Sequence, residues 1–113
     1  MEGSKDNAKD IEELQFLEQH LHNFLAQKQM LQVDLQETSN ALEELNKTED
    51  DIYRILSGIM LKANKETLAK ELEEKNRLLE IRISSIEKQE KLLEDKAKKL
   101  REKITNSMNK EKK

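Results

Sequence analysis

His20 and His22 are the only histidines in the chain, and there is no cysteine, so these two imidazoles are the natural candidates for metal binding or proton relay. They stand two residues apart. On a helix that spacing turns them roughly 200° from each other, so they cannot share an ion. Both read as solvated helix residues. Carboxylates are plentiful: Glu12-Glu13, Glu43-Glu44, Glu49-Asp50-Asp51 and Glu73-Glu74 are adjacent acids. Adjacent helical positions do not face each other across a cleft, as a general acid and base must. Gly3 and Gly58 are the only glycines, so a glycine-rich phosphate loop is excluded. The expectation is a protein that is not an enzyme and uses no cofactor or metal.

The remaining charged constellation is basic. Lys96, Lys98, Lys99, Arg101, Lys103, Lys110, Lys112 and Lys113 crowd the C-terminal end. No aromatic platform accompanies them, and the first half of the chain is acidic, which argues against nucleic acid. The plain reading is a solvated helix end. The functional reading is a docking patch for an acidic protein surface. Met30, Met60 and Met108 read as packing residues, although the soft side chain of a Met at a helix tip suits promiscuous contacts.

The elements that would position such groups follow from composition and periodicity. Of 113 residues, 40% are charged and 35% apolar, with no Pro or Trp, two Phe and one Tyr. That is too little bulky apolar material for a globular core, and it fits disorder or long helices with one apolar stripe. Periodicity selects helices. Leu14, Leu17, Leu21, Phe24, Lys28, Leu31, Leu35, Thr38, Leu42 and Leu45 recur at alternating steps of three and four. Ala69, Leu72, Asn76, Leu79, Ile83, Ile86, Glu90, Leu93, Ala97, Leu100 and Ile104 do the same. These are two heptad seams, the pattern of a coiled coil. The polar exceptions Lys28 and Thr38 read as register control or snorkelling. The helices are placed at about 10–47 and 65–107, the second capped by Asn64 with Glu66 in its first turn. The segments 1–9 and 108–113 are expected to be flexible tips of one domain spanning 1–113.

Charge is distributed unevenly. Residues 1–51 carry 13 acidic and 4 basic groups, 52–95 carry nine of each, and 96–113 carry eight basic and two acidic groups. Antiparallel pairing of the helices would bring the acidic and basic ends together, a weak preference of about 0.3–1 kcal/mol per exposed group. No apolar run approaches the roughly 20 residues of a membrane span. The opening Met-Glu-Gly-Ser-Lys-Asp lacks the hydrophobic region of a signal peptide. A soluble cytoplasmic location is expected.

Between the helices, Ile52-Tyr53-Arg54-Ile55-Leu56 and Ile59-Met60-Leu61-Lys62-Ala63 flank Ser57-Gly58. Two short runs about a two-residue connection containing Gly read as a β-hairpin over 52–63. Pairing Leu56 with Ile59 and Ile52 with Ala63 puts Ile52, Leu56, Ile59, Leu61 and Ala63 on one face with Arg54. Tyr53, Ile55, Met60 and Lys62 fall on the other. An isolated hairpin is marginal in water and has two open edges. Its strands are therefore expected to pair with those of other subunits through Ile52, Tyr53, Ile55, Leu56, Ile59, Met60 and Leu61. Burying four such side chains would contribute on the order of 6–12 kcal/mol per subunit before ordering costs. The same register sets Leu14 near Leu100 and Ile11 near Ile104, at a tip roughly 60 Å from the hairpin. Ile11, Leu14, Phe16, Leu17, Leu100, Ile104 and Met108 then form a candidate surface for apolar segments of other proteins.

At this point a resemblance becomes specific. Gln27-Lys28-Gln29, Ala41-Leu42-Glu43-Glu44-Leu45, Ile52-Tyr53-Arg54, Ile59-Met60-Leu61-Lys62 and Glu87-Lys88-Gln89-Glu90-Lys91 are similar, in order and spacing, to recurring motifs of the β-type subunits of the prefoldin family. The similarity covers roughly Leu14 to Ile104. The family usually has Gly at the position of Ser57, so the turn type stays open. A single hairpin matches the β-type rather than the two-hairpin α-type subunit. The resemblance implies a mainly α fold: an antiparallel two-helix coiled coil whose hairpin joins an intersubunit β-barrel. It further implies a hexamer of two α-type and four β-type subunits. Such an assembly holds unfolded client proteins at its tips without ATP and delivers them to a group II chaperonin. Lys98, Lys99, Arg101 and Lys103 are the candidate docking residues for that chaperonin. The competing expectation is a structural coiled-coil scaffold whose seams recruit a partner helix, which leaves the strands without a role. Neither nucleic acid nor a membrane is an expected partner.

Overall fold

The computed structural model describes residues 2–111. Helix α1 (Glu2–Lys47) is followed by strands β1 (Ile52–Leu56) and β2 (Ile59–Ala63) and by helix α2 (Lys65–Glu111). The inner helix ends are built by the residues nearest the hairpin. Thr48 closes α1 by donating from both its amide and its hydroxyl to the Glu44 carbonyl, at 3.1 and 2.8 Å. The Asn64 side chain caps α2 by accepting the Thr67 amide at 3.0 Å, as expected of an N-cap residue.

The outer ends run further than the apolar pattern predicts. The segments expected as flexible tips, 1–9 and 108–113, are helical over 2–9 and 108–111, while Met1, Lys112 and Lys113 lie outside the described residues. The reason lies in the heptads. Asn7 and Asp10 continue the α1 seam and are buried, and Ser107 continues that of α2 and is half-buried. The seam goes on where its residues cease to be apolar.

The chain gathers into two compact units, residues 29–84 and residues 1–28 with 85–113. In each, the core is a strip between two helices. All ten expected seam positions of α1 and all eleven of α2 are buried or half-buried. Between residues 7 and 110 the other helical positions are exposed, apart from the seam extensions just named and half-buried Ser39 and Leu68. Leu31, Leu45, Leu79 and Ile83 form the buried core of the hairpin-bearing unit, and Leu17, Ala97 and Ile104 that of the other.

Polar seam residues are matched within each unit. In the first, Asn76 Nδ2 donates to Ser39 Oγ at 3.3 Å, while Asn76 Oδ1 is buried with no partner among the described residues. Neighbouring Thr38 is buried, and its hydroxyl donates to the Asp34 carbonyl at 2.8 Å. In the second, Lys28 Nζ meets Glu90 Oε1 at 2.7 Å, with 21% and 12% of the two side chains exposed. The hydrogen bond that it donates to Glu90 holds the Lys28 ammonium above its ordinary pKa of 10.5, partly offset by burial and helped by the charges of Glu90, Glu87 and Glu94.

Two outcomes follow. Asn76→Leu removes a buried acceptor that has no donor, and should raise unfolding stability by about 1–2 kcal/mol in urea titrations. The charged form of Lys28 is favoured by the fold, so its contribution is complete below the unfolded-state pKa and is lost as pH rises through the higher folded value. The melting midpoint of the native chain should therefore fall under strongly alkaline conditions more than that of a Lys28→Leu/Glu90→Leu variant, as followed by circular dichroism.

Candidate interaction surfaces

The hairpin adopts the expected register at every pair, from Ile52 opposite Ala63 to Leu56 opposite Ile59. Ser57 and Gly58 take φ of 50° and 79°. Two successive left-handed residues make a type I′ turn, whose twist matches that of the strands. A side chain at Gly58 would meet nothing within 4 Å, so backbone angle rather than space favours glycine there. At the root, Lys65 Nζ reaches across to the Thr48 and Asn46 carbonyls at 2.9 and 3.5 Å, placing a cation on the C-terminal carbonyls of α1.

What the hairpin exposes matters most for interaction. Ile52, Arg54 and Ala63 share one face and are half-buried, and Arg54 is held to α2 by Glu71 at 3.1 Å. Tyr53, Ile55, Leu56, Ile59, Met60 and Leu61 are all exposed, Ile55 by 68% and Met60 by 64%. Among the described residues the sheet has two strands, so each keeps one unpaired edge. Six of the seven expected interface residues are thus uncovered in the single chain, and the seventh, Ile52, is half-buried.

The expected tip surface divides into two groups. Leu17 and Ile104 are buried in the seam, and Leu14 and Leu100 are half-buried. Ile11, Phe16 and Met108 are exposed. Ion pairs Arg101–Glu18 at 3.7 Å and Lys103–Asp10 at 3.3 Å hold these segments of α1 and α2 together. They also partition the basic set. Lys98 and Arg101 lie on the flank that Glu18 occupies. Lys99 and Lys103 lie on the other flank, and two of the four already have a carboxylate partner.

Other exposed apolar side chains escaped the sequence reading. Leu25, Val33, Leu78, Ile81 and Leu92 are all exposed on the helices. Each sits off the heptad seam, as Phe16 does, and the same criterion applied along the whole chain would have found them. Met30, Met60 and Met108, expected to pack, are exposed by 72%, 64% and 49%. One chain offers them no second layer to pack against. His20 and His22 are both exposed, but His20 is not merely solvated: its ring lies 4.7 Å from that of Phe16 and 6.0 Å from that of Phe24. Among the described residues, no helix is long and apolar enough to cross a membrane.

This arrangement matches known proteins closely. The sequence profile of the family described as Prefoldin subunit matches residues 8–111. The chain is 38% identical over 94 residues to prefoldin subunit beta of Pyrococcus furiosus, covering 81% of this chain and 80% of that one. It is 37% identical over 106 residues to the Thermoplasma acidophilum subunit of the same name, covering 91% and 86%. The crystal structure of the prefoldin beta subunit from Thermococcus strain KS-1 superimposes with a TM-score of 0.85 at 30% identity, covering 90% of this chain and 91% of that one. With a single hairpin between two heptad helices and relatives of this kind along most of its length, the chain belongs to the prefoldin subunit family.

Proposed function

We propose that this chain is the β-type subunit of an ATP-independent holding chaperone, a hexamer of two α-type and four β-type subunits that captures unfolded polypeptides and passes them to a group II chaperonin in the cytoplasm. The observation that carries this reading is the hairpin. A two-stranded sheet with apolar side chains exposed on both faces and an unpaired edge on each side is unstable in water unless other strands cover it. Ile52, Tyr53, Ile55, Leu56, Ile59, Met60 and Leu61 supply that interface, and closing several hairpins into a barrel removes the edges altogether. Capture then falls to the unit holding both ends of the chain, through Ile11, Phe16 and Met108 with the partly covered Leu14, Leu17, Leu100 and Ile104 behind them. Weak, adaptable apolar contacts suit clients that have no fixed shape, and they need no nucleotide. The lysines Lys98 and Lys99, with Arg101 and Lys103, are the proposed contact for an acidic chaperonin surface.

The seams argue against a plain scaffold. Their apolar positions are already occupied by each other within the chain. A partner helix recruited through them would have to displace α1 or α2.

Replacing Ile55 and Leu61 by Asp should drop the complex with its α-type partner to smaller species in sedimentation, with helix content retained; an unchanged assembly excludes the barrel. Removing residues 1–17 and 98–113 should leave assembly intact and abolish protection of an aggregating client, read by light scattering. Full protection by the shortened chain removes capture from this end of the helices.

A further inference from the structure

Among the seam positions from Leu14 to Leu45 and from Ala69 to Ile104, four are polar: Lys28 and Thr38 on α1, Asn76 and Glu90 on α2. They fall into two layers, one in each compact unit. In the unit that holds both chain ends, Lys28 Nζ donates to Glu90 Oε1 at 2.7 Å, with 21% and 12% of the side chains exposed. Glu87 and Glu94, about one turn to either side of Glu90, add to the field that favours the ammonium. On α1 itself no carboxylate stands between Glu18 and Asp34, so Lys28 finds no acid one turn away on its own helix. In the hairpin-bearing unit, Asn76 Nδ2 reaches Ser39 Oγ at 3.3 Å beside buried Thr38, and Asn76 Oδ1 has no partner among the described residues. Both layers cost stability relative to an apolar seam, because a desolvated ion pair or amide recovers only part of its hydration. That cost is not needed to set the register within the chain. The turn at Ser57-Gly58 and the strand pairs from Ile52–Ala63 to Leu56–Ile59 already set it.

We infer that the two layers are a pairing code that acts between chains: they admit α2 opposite α1 in this one antiparallel register, and they reject as partner a second copy of either helix or any helix with an apolar seam. Two copies of α2 aligned on this layer set Glu90 against Glu90, with Glu87 and Glu94 close by, whichever way the helices run. Two copies of α1 set Lys28 against Lys28, with no carboxylate within a turn. A slip of one heptad between α1 and α2 puts Glu90 opposite Leu21 or Leu35 and Lys28 opposite Ile83 or Ala97. Lys28 has a long stem and can lift its ammonium toward water, so the shorter Glu90 discriminates most. An apolar seam opposite Asn76 leaves both ends of its amide unsatisfied. Such discrimination matters wherever exposed strands gather several copies, because their seam helices then stand at high local concentration. The code extends the proposed assembly without resting on it.

The test takes the hairpin out of the question. The full-length chain carrying Ile55→Asp and Leu61→Asp, with native seams, should sediment at the mass of one chain across the micromolar range. Adding Lys28→Leu, Glu90→Leu and Asn76→Leu should raise the urea midpoint, keep the helix content, and raise the mass to about twice that of one chain or more. Lys28→Glu with Glu90→Lys, Asn76 left native, keeps the layer matched in the reverse sense and should stay at one chain. Lys28→Met with Glu90→Met probes the charged layer by itself and should also associate, which keeps the test decisive if the triple variant fails to fold. A folded leucine or methionine variant that keeps the mass of its parent at every concentration overturns the code. Association of the parent, or of the charge-reversed chain, overturns it as well. Loss of client protection by the native assembly would sink the chaperone reading and leave these outcomes as they are.

Discussion

Two helices that face only each other can bury one stripe of each, and every other feature of this protein follows from that limit. A strip of side chains between two helices is dry on two sides and wet on the other two. In the described helices burial is confined almost wholly to the heptad positions, and bulky groups elsewhere stay in solvent. Such a seam stabilises the helices without shielding anything else. Polar residues within it find partners in the stripe or beside it, as Lys28 does with Glu90 and Asn76 does with Ser39. Among the described residues, most apolar side chains outside it stand exposed. They are the material available for interaction.

The hairpin is the sharpest case. The helix ends from which its strands spring leave most of it uncovered: only Ile52, Arg54 and Ala63 are half-buried, and Arg54 is held to α2 by Glu71. A monomeric enzyme with such a patch would be an aggregation hazard. In the assembly proposed above, the same patch would be the surface that other strands cover. Membership of the prefoldin family gives that surface its natural explanation, since its relatives are themselves named as subunits.

Much of the fold was legible in the sequence because heptads and turns are local codes. The alternation from Leu14 to Leu45 and from Ala69 to Ile104 marks the seams residue by residue. Ser57-Gly58 between two five-residue runs marks the hairpin and its register. The helix ends were less legible, because Asn7, Asp10 and Ser107 hold seam positions without being apolar. The pairing of Lys28 with Glu90 was hidden for another reason. Each stood out as a polar interruption of its own seam, but only the register between the helices puts one opposite the other. The interaction surfaces were legible by composition at the hairpin and at Phe16. The cleft that His20, Phe24, Gln89, Leu92, Leu93 and Lys96 line between the helices was not, since it depends on which flank of α2 brings Leu92 and Lys96 opposite His20 and Phe24.

The hairpin has one more consequence, which is optical. Tyr53 is the only tyrosine in a chain without tryptophan, and it stands half in solvent on strand β1. Near-ultraviolet absorbance and intrinsic emission of the isolated chain at tyrosine wavelengths therefore originate at the sheet and nowhere in either helix. Under the proposed assembly, strands closing over that ring would change its emission, while events along the helices would leave it unchanged. Tyr53 would then serve as a native chromophore reporting on the sheet separately from the helices.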